Sequence, residues 1–232
     1  QGDYSKELDY YFNALKIDEE LGNKKGVGGK LNNIGIVYDV QGNYPKALDF
    51  YLKALMMYEE LKDTGGMALC LGNIGLVYSE QDNYPKALDY YFKALKIDEK
   101  LQNKNGIARH LGNIGLVYWN EGNYPKALDY YFKALKIAEG LGNKSFITAW
   151  LGNIGNVYQK EANLQRTRSP MDSDSLYSKA LDYYFKALKM NEELGRKIGI
   201  AIQLSNIGKL YTEAPSLPPP IGEQKVGFVL AA

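Results

Sequence analysis

The chain has 232 residues, of which 45% are hydrophobic, and a formal charge of +1. This length is ample for a hydrophobic core, and the near-neutral charge gives no overall field to attract nucleic acid or an anionic membrane. Cys70 is the only cysteine, which excludes an internal disulfide and favours a reducing, cytoplasmic location. No apolar run reaches the roughly 18 residues of a membrane span. The opening QGDYSKELDY has no signal-peptide pattern and is typical of a segment of a longer protein.

Two sequence phrases recur along the chain. The first begins as DYSKELDYYFNALKIDEE at 3–20 and recurs at 43–60, 83–100 and 123–140, forty residues apart each time. The second begins as LNNIGIVY and lies between copies of the first; it occupies 31–38, 71–78, 111–118, 151–158 and, in a divergent form, 204–211. A fixed period of this size indicates a stacked repeat array.

Each forty-residue unit contains two helical patterns. In 85–101, Leu88, Tyr91 and Leu95 are spaced three or four residues apart, which is the spacing of one helix face. Asn83 is a candidate N-cap, Pro85 suits the first turn, and a second apolar pattern covers 107–119. Every unit is therefore predicted to be an antiparallel helix pair that buries its faces against its neighbours.

The predicted fold class is an all-α, right-handed α-solenoid with one leading helix, four full helix pairs and a last lone helix. The predicted units span 1–26, 27–66, 67–106, 107–146 and 147–197, and the lone helix spans 198–213. A glycine recurs at the same register of the second phrase, as Gly35, Gly75, Gly115, Gly155 and Gly208. Because glycine inside a helix costs about 0.5–1 kcal/mol, we expect close contacts between helix backbones there, with small residues such as Ala87 on the partner helix.

Two segments depart from the period. Thirteen extra residues separate Tyr158 from Tyr177, and the polar stretch 161–175, with Ser169-Pro170, is predicted to be an inserted mobile loop. Its alternative role is a contact arm or a modification site. The segment 214–232 carries three consecutive prolines and is predicted to be an extended tail, whose apolar end VGFVLAA is either disordered or a ligand for a groove.

Residues suited to catalysis are sparse. His110 is the only histidine, so no histidine-pair metal site or catalytic triad with a spare base can be assembled, and we expect it on the surface. Cys70 is predicted to be a small buried residue. Acidic runs such as IDEE at 17–20 recur at helix ends, which favours solvated faces, and Gly29-Lys30 lacks the spacing of a phosphate-binding loop. The sequence predicts no enzyme activity, no cofactor and no metal site.

The repeats resemble the tetratricopeptide repeat over about nine-tenths of the chain. In one unit the positions that carry the resemblance are Leu71, Ile74, Gly75, Tyr78, Ala87, Tyr91 and Ala94. The period of forty residues, instead of the family's thirty-four, is similar to that of repeats in bacterial sensor and signalling proteins and in spindle-orientation adaptors. The resemblance implies a concave groove lined by the second, fifth, sixth, ninth, twelfth and thirteenth positions of each motif.

The sixth position is an asparagine in all five repeats: Asn33, Asn73, Asn113, Asn153 and Asn206. An asparagine amide offers two donors and an acceptor, so these residues either bind the backbone of an extended peptide or connect neighbouring helices. The varied positions implied to set specificity include Arg109, Leu116, Trp119, Asn120, Asn156 and Lys160, with Asp39, Leu76, Ser79, Glu80, Gln159 and Lys209. Trp119 and Arg109 are the predicted anchors. With Arg109 as the one basic residue at the clamp positions, binding of chaperone C-terminal tails is disfavoured.

The function predicted from these observations is non-enzymatic binding of an extended peptide or protein segment, as the scaffold or sensory part of a larger signalling protein. One alternative is a structural array that self-associates through its ends or through 214–232, because no polar capping unit is evident. The other is a regulatory domain for a small ligand or for RNA, and the neutral charge disfavours RNA. Neither a nucleic acid nor a membrane partner is expected.

Overall fold

The computed structural model describes residues 4–215 and 217, and in these residues it contains ten α-helices and no strand. The helices are α1 Tyr4–Glu20, α2 Lys24–Val40, α3 Tyr44–Glu60, α4 Thr64–Glu80, α5 Tyr84–Lys100, α6 Lys104–Asn120, α7 Tyr124–Leu141, α8 Lys144–Gln165, α9 Pro170–Glu193 and α10 Lys197–Glu213. The second phrase lies on the even-numbered helices, which we call A helices. The first phrase lies on the odd-numbered helices, which we call B helices. The all-α repeat fold predicted from the sequence is confirmed.

The chain divides into two compact units, one up to Asn123 and one from Tyr124 onward. In the first unit each of α1 to α5 packs against the next helix, α2 also contacts α4, and α4 contacts α6. In the second unit α7, α8, α9 and α10 pack consecutively, and α8 also contacts α10. Each unit is thus built from antiparallel helix pairs whose A helices lie side by side.

Most helices are joined by three-residue turns with a fixed chemistry. The residue before the last one of the turn has a positive φ and is a glycine in five turns, whereas Lys62, Asp82 and Gln102 adopt the same conformation with φ of 53–56°. The last residue of the turn caps the next helix: Asn103 Oδ1, for example, accepts a hydrogen bond from the Gly106 N–H at 3.3 Å. The same cap is made by Asn23, Asn43, Asp63, Asn83 and Asn143.

The core of each pair forms around a buried tyrosine of the B helix. Tyr91 is 1% exposed and Tyr184 is 0% exposed. A Cβ added at Gly75 would lie 2.9 Å from the Tyr91 ring, and one at Gly155 would lie 2.6 Å from the Tyr184 ring. The glycine register therefore makes room for a tyrosine ring, which corrects the expectation of contact between backbones. At Gly208, with no helix after α10 in the described residues, no atom lies within 4 Å of an added Cβ.

The thirteen extra residues do not form a loop over 161–175. They lengthen α8 to Gln165 and start α9 at Pro170, so the turn between the helices is short. The hydroxyl group of Ser173 donates to the Ala162 carbonyl at 3.0 Å, and the two helices pair along their added length. The expectation was wrong because the segment EANLQ at 161–165 is compatible with a helix and Pro170 is suited to the first turn of the next one.

The chain after α10 is described only in part. Ala214 and Leu217 are buried in a cluster that includes Tyr184 and Leu210. Residues 218–232, and with them the role predicted for VGFVLAA, lie outside the described residues. Within the described part, no helix is both long enough and apolar enough to cross a membrane.

Candidate functional site

The five sixth-position asparagines lie on the five A helices, each directly before a buried isoleucine. The isoleucine points into the core and fixes the helix rotation, which leaves the preceding asparagine at the edge of the buried face. All five asparagine side chains are half-buried. They can therefore contact both a neighbouring helix and a molecule that arrives from solvent.

Three of these asparagines interact with a neighbouring helix. Asn73 donates from Nδ2 to Asn32 Oδ1 at 2.9 Å, from α4 to α2. Asn113 lies within interaction range of the Tyr91 hydroxyl group. The Nδ2 atom of Asn206 is 3.5 Å from Asn156 Oδ1, at the long end of the hydrogen-bond range. These contacts support the connecting role at these repeats.

Asn33 and Asn153 differ from the other three. Within the described part of the chain, neither side chain has a hydrogen-bond partner. An asparagine amide has two donors and an acceptor, and its polar groups gain most when they are paired at an interface that excludes water. Asn33 in the first unit and Asn153 in the second are therefore the two sixth-position residues with their whole hydrogen-bonding capacity left.

The varied positions are not uniformly accessible. Leu116, Asn120 and Lys160 are exposed, and Arg109 and Trp119 are half-buried, as binding anchors require. Ser79 and Gln159 are buried, which removes them from an accessible surface. The hydroxyl group of Tyr184 lies 2.7 Å from Gln159 Oε1 and 2.9 Å from Asn156 Oδ1.

A pair of carboxyl groups lies on the A helices of the first unit. Burial and, to a smaller extent, the nearby charge of Glu80 together raise the pKa of Asp39 to about 6. Asp39 Oδ1 is buried without a hydrogen-bond partner in the described residues. This part of the first unit is therefore negatively charged at neutral pH. Near pH 6, half of the Asp39 side chains are protonated and the negative charge is smaller.

His110 is buried, so the surface position predicted from the sequence was wrong. The side chain is 0% exposed, and its Nε2 atom lies 3.1 Å from Oδ2 of Asp98, itself 1% exposed. Burial, helped by the positive charge of Arg109, lowers the pKa of His110 to about 4. Asp98 is buried too, although the acidic residues at the helix ends were predicted to be exposed to solvent. The signal in the sequence was small neighbours: glycines at 72 and 106 leave the space that the imidazole and the carboxylate fill.

Cys70 is buried, as predicted. Burial raises the pKa of its thiol to about 12, so it is protonated at neutral pH. Among the described residues, no three His, Cys, Asp or Glu side chains come together in a group that could hold a metal ion.

Comparison with protein families decides the assignment of these repeats. A tetratricopeptide repeat model matches residues 27–100, and a second tetratricopeptide repeat model matches residues 108–141. Residues 27–100 and 108–141 are thus tetratricopeptide repeats (TPRs). The matched residues contain Asn33, Asn73 and Asn113, so these three asparagines lie within recognised TPR motifs.

Solved structures share the TPR fold of this chain at low sequence identity. BtubC from P. vanneervenii is 14% identical with a TM-score of 0.64, and the match covers 95% of both chains. The quorum sensor NprR from B. thuringiensis is 17% identical with a TM-score of 0.67, over 92% of this chain and 57% of that one. A Rap protein complexed with competence and sporulation factor is 16% identical with a TM-score of 0.62, over 91% and 60%. Among curated proteins, no sequence matches the chain.

Proposed function

We propose that this TPR-containing protein is a non-enzymatic binding module that holds an extended peptide or protein segment along the A helices of each unit. The observation that carries the proposal is that each unit has half-buried sixth-position asparagines, one of which, Asn33 or Asn153, has no partner in the described residues. An extended backbone presents N–H and C=O groups at regular intervals. Free amides such as those of Asn33 and Asn153 bond to such groups with little dependence on the segment's sequence.

Specificity comes from the varied positions near each asparagine. In the first unit, Asp39 and Glu80 favour a cationic side chain, while Arg109 and Trp119 supply a charge and a broad apolar contact. In the second unit, Lys160 is exposed and Asn156 is half-buried, which favours an acidic or polar side chain. A side chain that is already ordered loses less entropy on binding. This favours the half-buried Trp119 as a binding residue.

Two of the similar structures support a signalling context. NprR is a quorum sensor, and the Rap protein was solved with competence and sporulation factor. We infer that the chain is the scaffold or sensory part of a cytoplasmic signalling protein, and it spans 57% and 60% of those two chains.

The test starts from a random-peptide display library selected against the full chain, with the best peptide measured by calorimetry. We expect Asn33→Ala/Asn153→Ala to weaken binding about tenfold or more, since each amide contributes on the order of 1 kcal/mol. Asn13→Ala, at an exposed position of α1, is the matched control and keeps the affinity. A library that yields no saturable binder, or a double variant that binds as the wild type does, contradicts the proposal.

A structural role is the second candidate because one helix leaves large apolar side chains exposed. On α1, Tyr10 is 76% exposed and Ile17 is 57% exposed, and Leu21, directly after the helix, is 74% exposed. A second copy seated on this face would remove that apolar area from water. Light scattering over a dilution series tests this role: self-association predicts a mass that rises with concentration and falls in Tyr10→Glu/Ile17→Glu, whereas a constant monomer mass excludes it.

A further inference from the structure

A cavity of about 600 Å³ lies in the second unit, between the start of α8, the end of α9 and the start of α10. This volume is within the range of small-ligand sites. Its wall includes Asn191, Arg196, Gly199 and Gln203, and it contains none of the sixth-position asparagines. The inference drawn from it is thus independent of the proposed peptide-binding function.

The cavity lies where a helix cap is missing. The A helices α2, α4, α6 and α8 are capped by Asn23, Asp63, Asn103 and Asn143, whose side-chain oxygens accept from the N–H three residues on. The residue at the corresponding place before α10 is Arg196, which makes no side-chain cap hydrogen bond. In the part of the chain that the structure describes, no acceptor reaches the Gly199 N–H. The positive end of the α10 dipole is therefore open to an anion.

Two buried amides beside this helix start also lack partners. In two earlier repeats the residue at the place of Asn191 is an aspartate, Asp18 or Asp98, that accepts from the cap asparagine: Asn103 Nδ2, for example, donates to Asp98 Oδ1 at 2.8 Å. Asn191 is 4% exposed and, with Arg196 in place of the cap asparagine, its side chain has no hydrogen bond to a described residue. Gln203 is 6% exposed, and its Oε1 atom has no partner there either. Buried polar groups are normally paired, so these unpaired amides point to a ligand.

The charge and shape of the cavity identify the class of ligand. Arg196 and Lys197 are the charged residues of its wall, and no carboxylate lines it. Arg196 hydrogen-bonds to the Ser145 hydroxyl group, which holds the guanidinium at the cavity wall. Ile202, which is 51% exposed, and Ile198, which is 80% exposed, add apolar surface. An anion with an aliphatic group beside it matches this wall.

We propose that this cavity binds the α-carboxylate of an aliphatic residue, either as a free amino acid or at the end of a peptide chain. The carboxylate takes the place of the missing cap oxygen: it accepts from the Gly199 N–H and from Asn191 Nδ2, and it pairs with Arg196. The ligand's own N–H group or ammonium group, two bonds from the carboxylate carbon, donates to Gln203 Oε1. Rotation about the broad terminal torsion of the glutamine brings that oxygen toward the ligand.

Calorimetry on the full chain tests the proposal with three probes: acetyl-Ala-Leu with a free carboxylate, the same dipeptide as its C-terminal amide, and free L-leucine. We expect the free carboxylate to bind at least about tenfold more tightly than the amide. Binding of leucine as tight as that of the dipeptide assigns the site to a free amino acid, and loss of binding with leucine assigns it to a chain end. In ¹H–¹⁵N spectra the Gly199 resonance is expected to shift with the carboxylate probe.

Arg196→Asn is the decisive variant because it restores the cap that the other A helices have. The asparagine oxygen then occupies the Gly199 N–H, so binding is expected to fall at least about tenfold while the melting temperature rises. Lys136→Asn removes a positive charge from an exposed position of α7 that does not line the cavity, and it is expected to leave binding unchanged. Equal binding of acid and amide, no saturable binding at millimolar concentration, or wild-type binding by Arg196→Asn overturns the proposal.

Discussion

The starts of α6 and α8 occupy the same place in successive repeats but are packed with different chemistry. At α6, His110 lies against Asp98, and Gly106 leaves room for the carboxylate. At α8, the corresponding residues are Trp150, Ala138 and Phe146, and the two aromatic rings contact each other with centroids 5.8 Å apart. The three positions differ together, because an aspartate needs a glycine beside it and an alanine leaves space for a phenylalanine.

The other A helices follow the same rule. At the start of α2, Lys30 Nζ lies 3.5 Å from Asp18 Oδ2, with Gly26 beside the carboxylate. At the start of α10, the set is Gln203, Asn191 and Gly199. The repeat backbone thus tolerates an ion pair, a histidine–aspartate pair, two aromatic rings or two amides, provided that all three positions agree. Repeats with nearly identical helix patterns therefore differ from one another at these three positions.

The largest expected effect comes from breaking the match at α6. A Cβ at position 106 overlaps the Asp98 carboxylate, so Gly106→Ala is expected to reduce the free energy of unfolding by about 3 kcal/mol. The double variant Asp98→Ala/Gly106→Ala is expected to lose less free energy of unfolding than the two single variants together. The reason is that alanine at position 98 removes the carboxylate that the new Cβ would overlap. Urea unfolding measures each variant.

Gly65→Ala is the control for the effect at α6. Its added Cβ lies 3.5 Å from the nearest atom, Asp63 Oδ1, which is ordinary contact, so little change is expected. Additive losses in the double variant, or equal effects at Gly65 and Gly106, contradict the matched-set explanation.

The His110 pair is expected to make stability depend on pH. The pKa of His110 is about 4 in the folded chain and near its ordinary 6.5 in the unfolded chain, so the unfolded state binds a proton first as the pH falls. Stability present above pH 6.5 is therefore lost between pH 6.5 and 4, by about 3 kcal/mol. His110 is the only histidine, so one imidazole Cε1–H resonance reports its titration. A midpoint above 6.5 contradicts this account.

The Asp39 carboxyl group is expected to act in the opposite direction. Its folded pKa of about 6 lies above the ordinary value of 3.8, so stability rises as the pH falls from 6 toward 4. Asp39→Asn is expected to raise the free energy of unfolding at pH 7 by up to about 1 kcal/mol, since partial exposure screens the charge. Melting curves at pH 7 and pH 4.5 check this: the gain is expected at pH 7 and absent at pH 4.5. A variant that is less stable than the wild type at pH 7 is the opposing result.

The smallest expected effect is in the turns. Gln102 adopts a φ of 54°, where Gly142 stands in the next repeat with a φ of 63°. Gln102→Gly is expected to raise the free energy of unfolding by about 0.5 kcal/mol, and Gly142→Gln to lower it by about 1 kcal/mol. Thermal unfolding of the two variants measures the effect of adding a glycine at this turn position and the effect of removing one. Shifts of the same sign contradict the strain at position 102.

The forty-residue period made the helix pairs, their caps and their register predictable, because each was written several times in the sequence. Contacts between helices were less predictable: the burial of His110 depends on Gly72 and Gly106, which come from a neighbouring helix and from the preceding turn of its own helix. The cavity before α10 had a visible signal, since Arg196 replaces an asparagine or aspartate cap. That signal gained meaning only when the unpaired Asn191 amide was located beside it.

The division of roles among the sixth-position asparagines is the central claim, and binding and melting measured on two double variants test it most directly. Asn33→Ala/Asn153→Ala is expected to lose affinity for the selected peptide about tenfold or more, with a melting temperature within about 2 °C of the wild type. Asn73→Ala/Asn206→Ala is expected to melt earlier, because it removes contacts between helices. If the first variant melts early and keeps its affinity, the unpaired asparagines support the fold and the binding surface lies elsewhere.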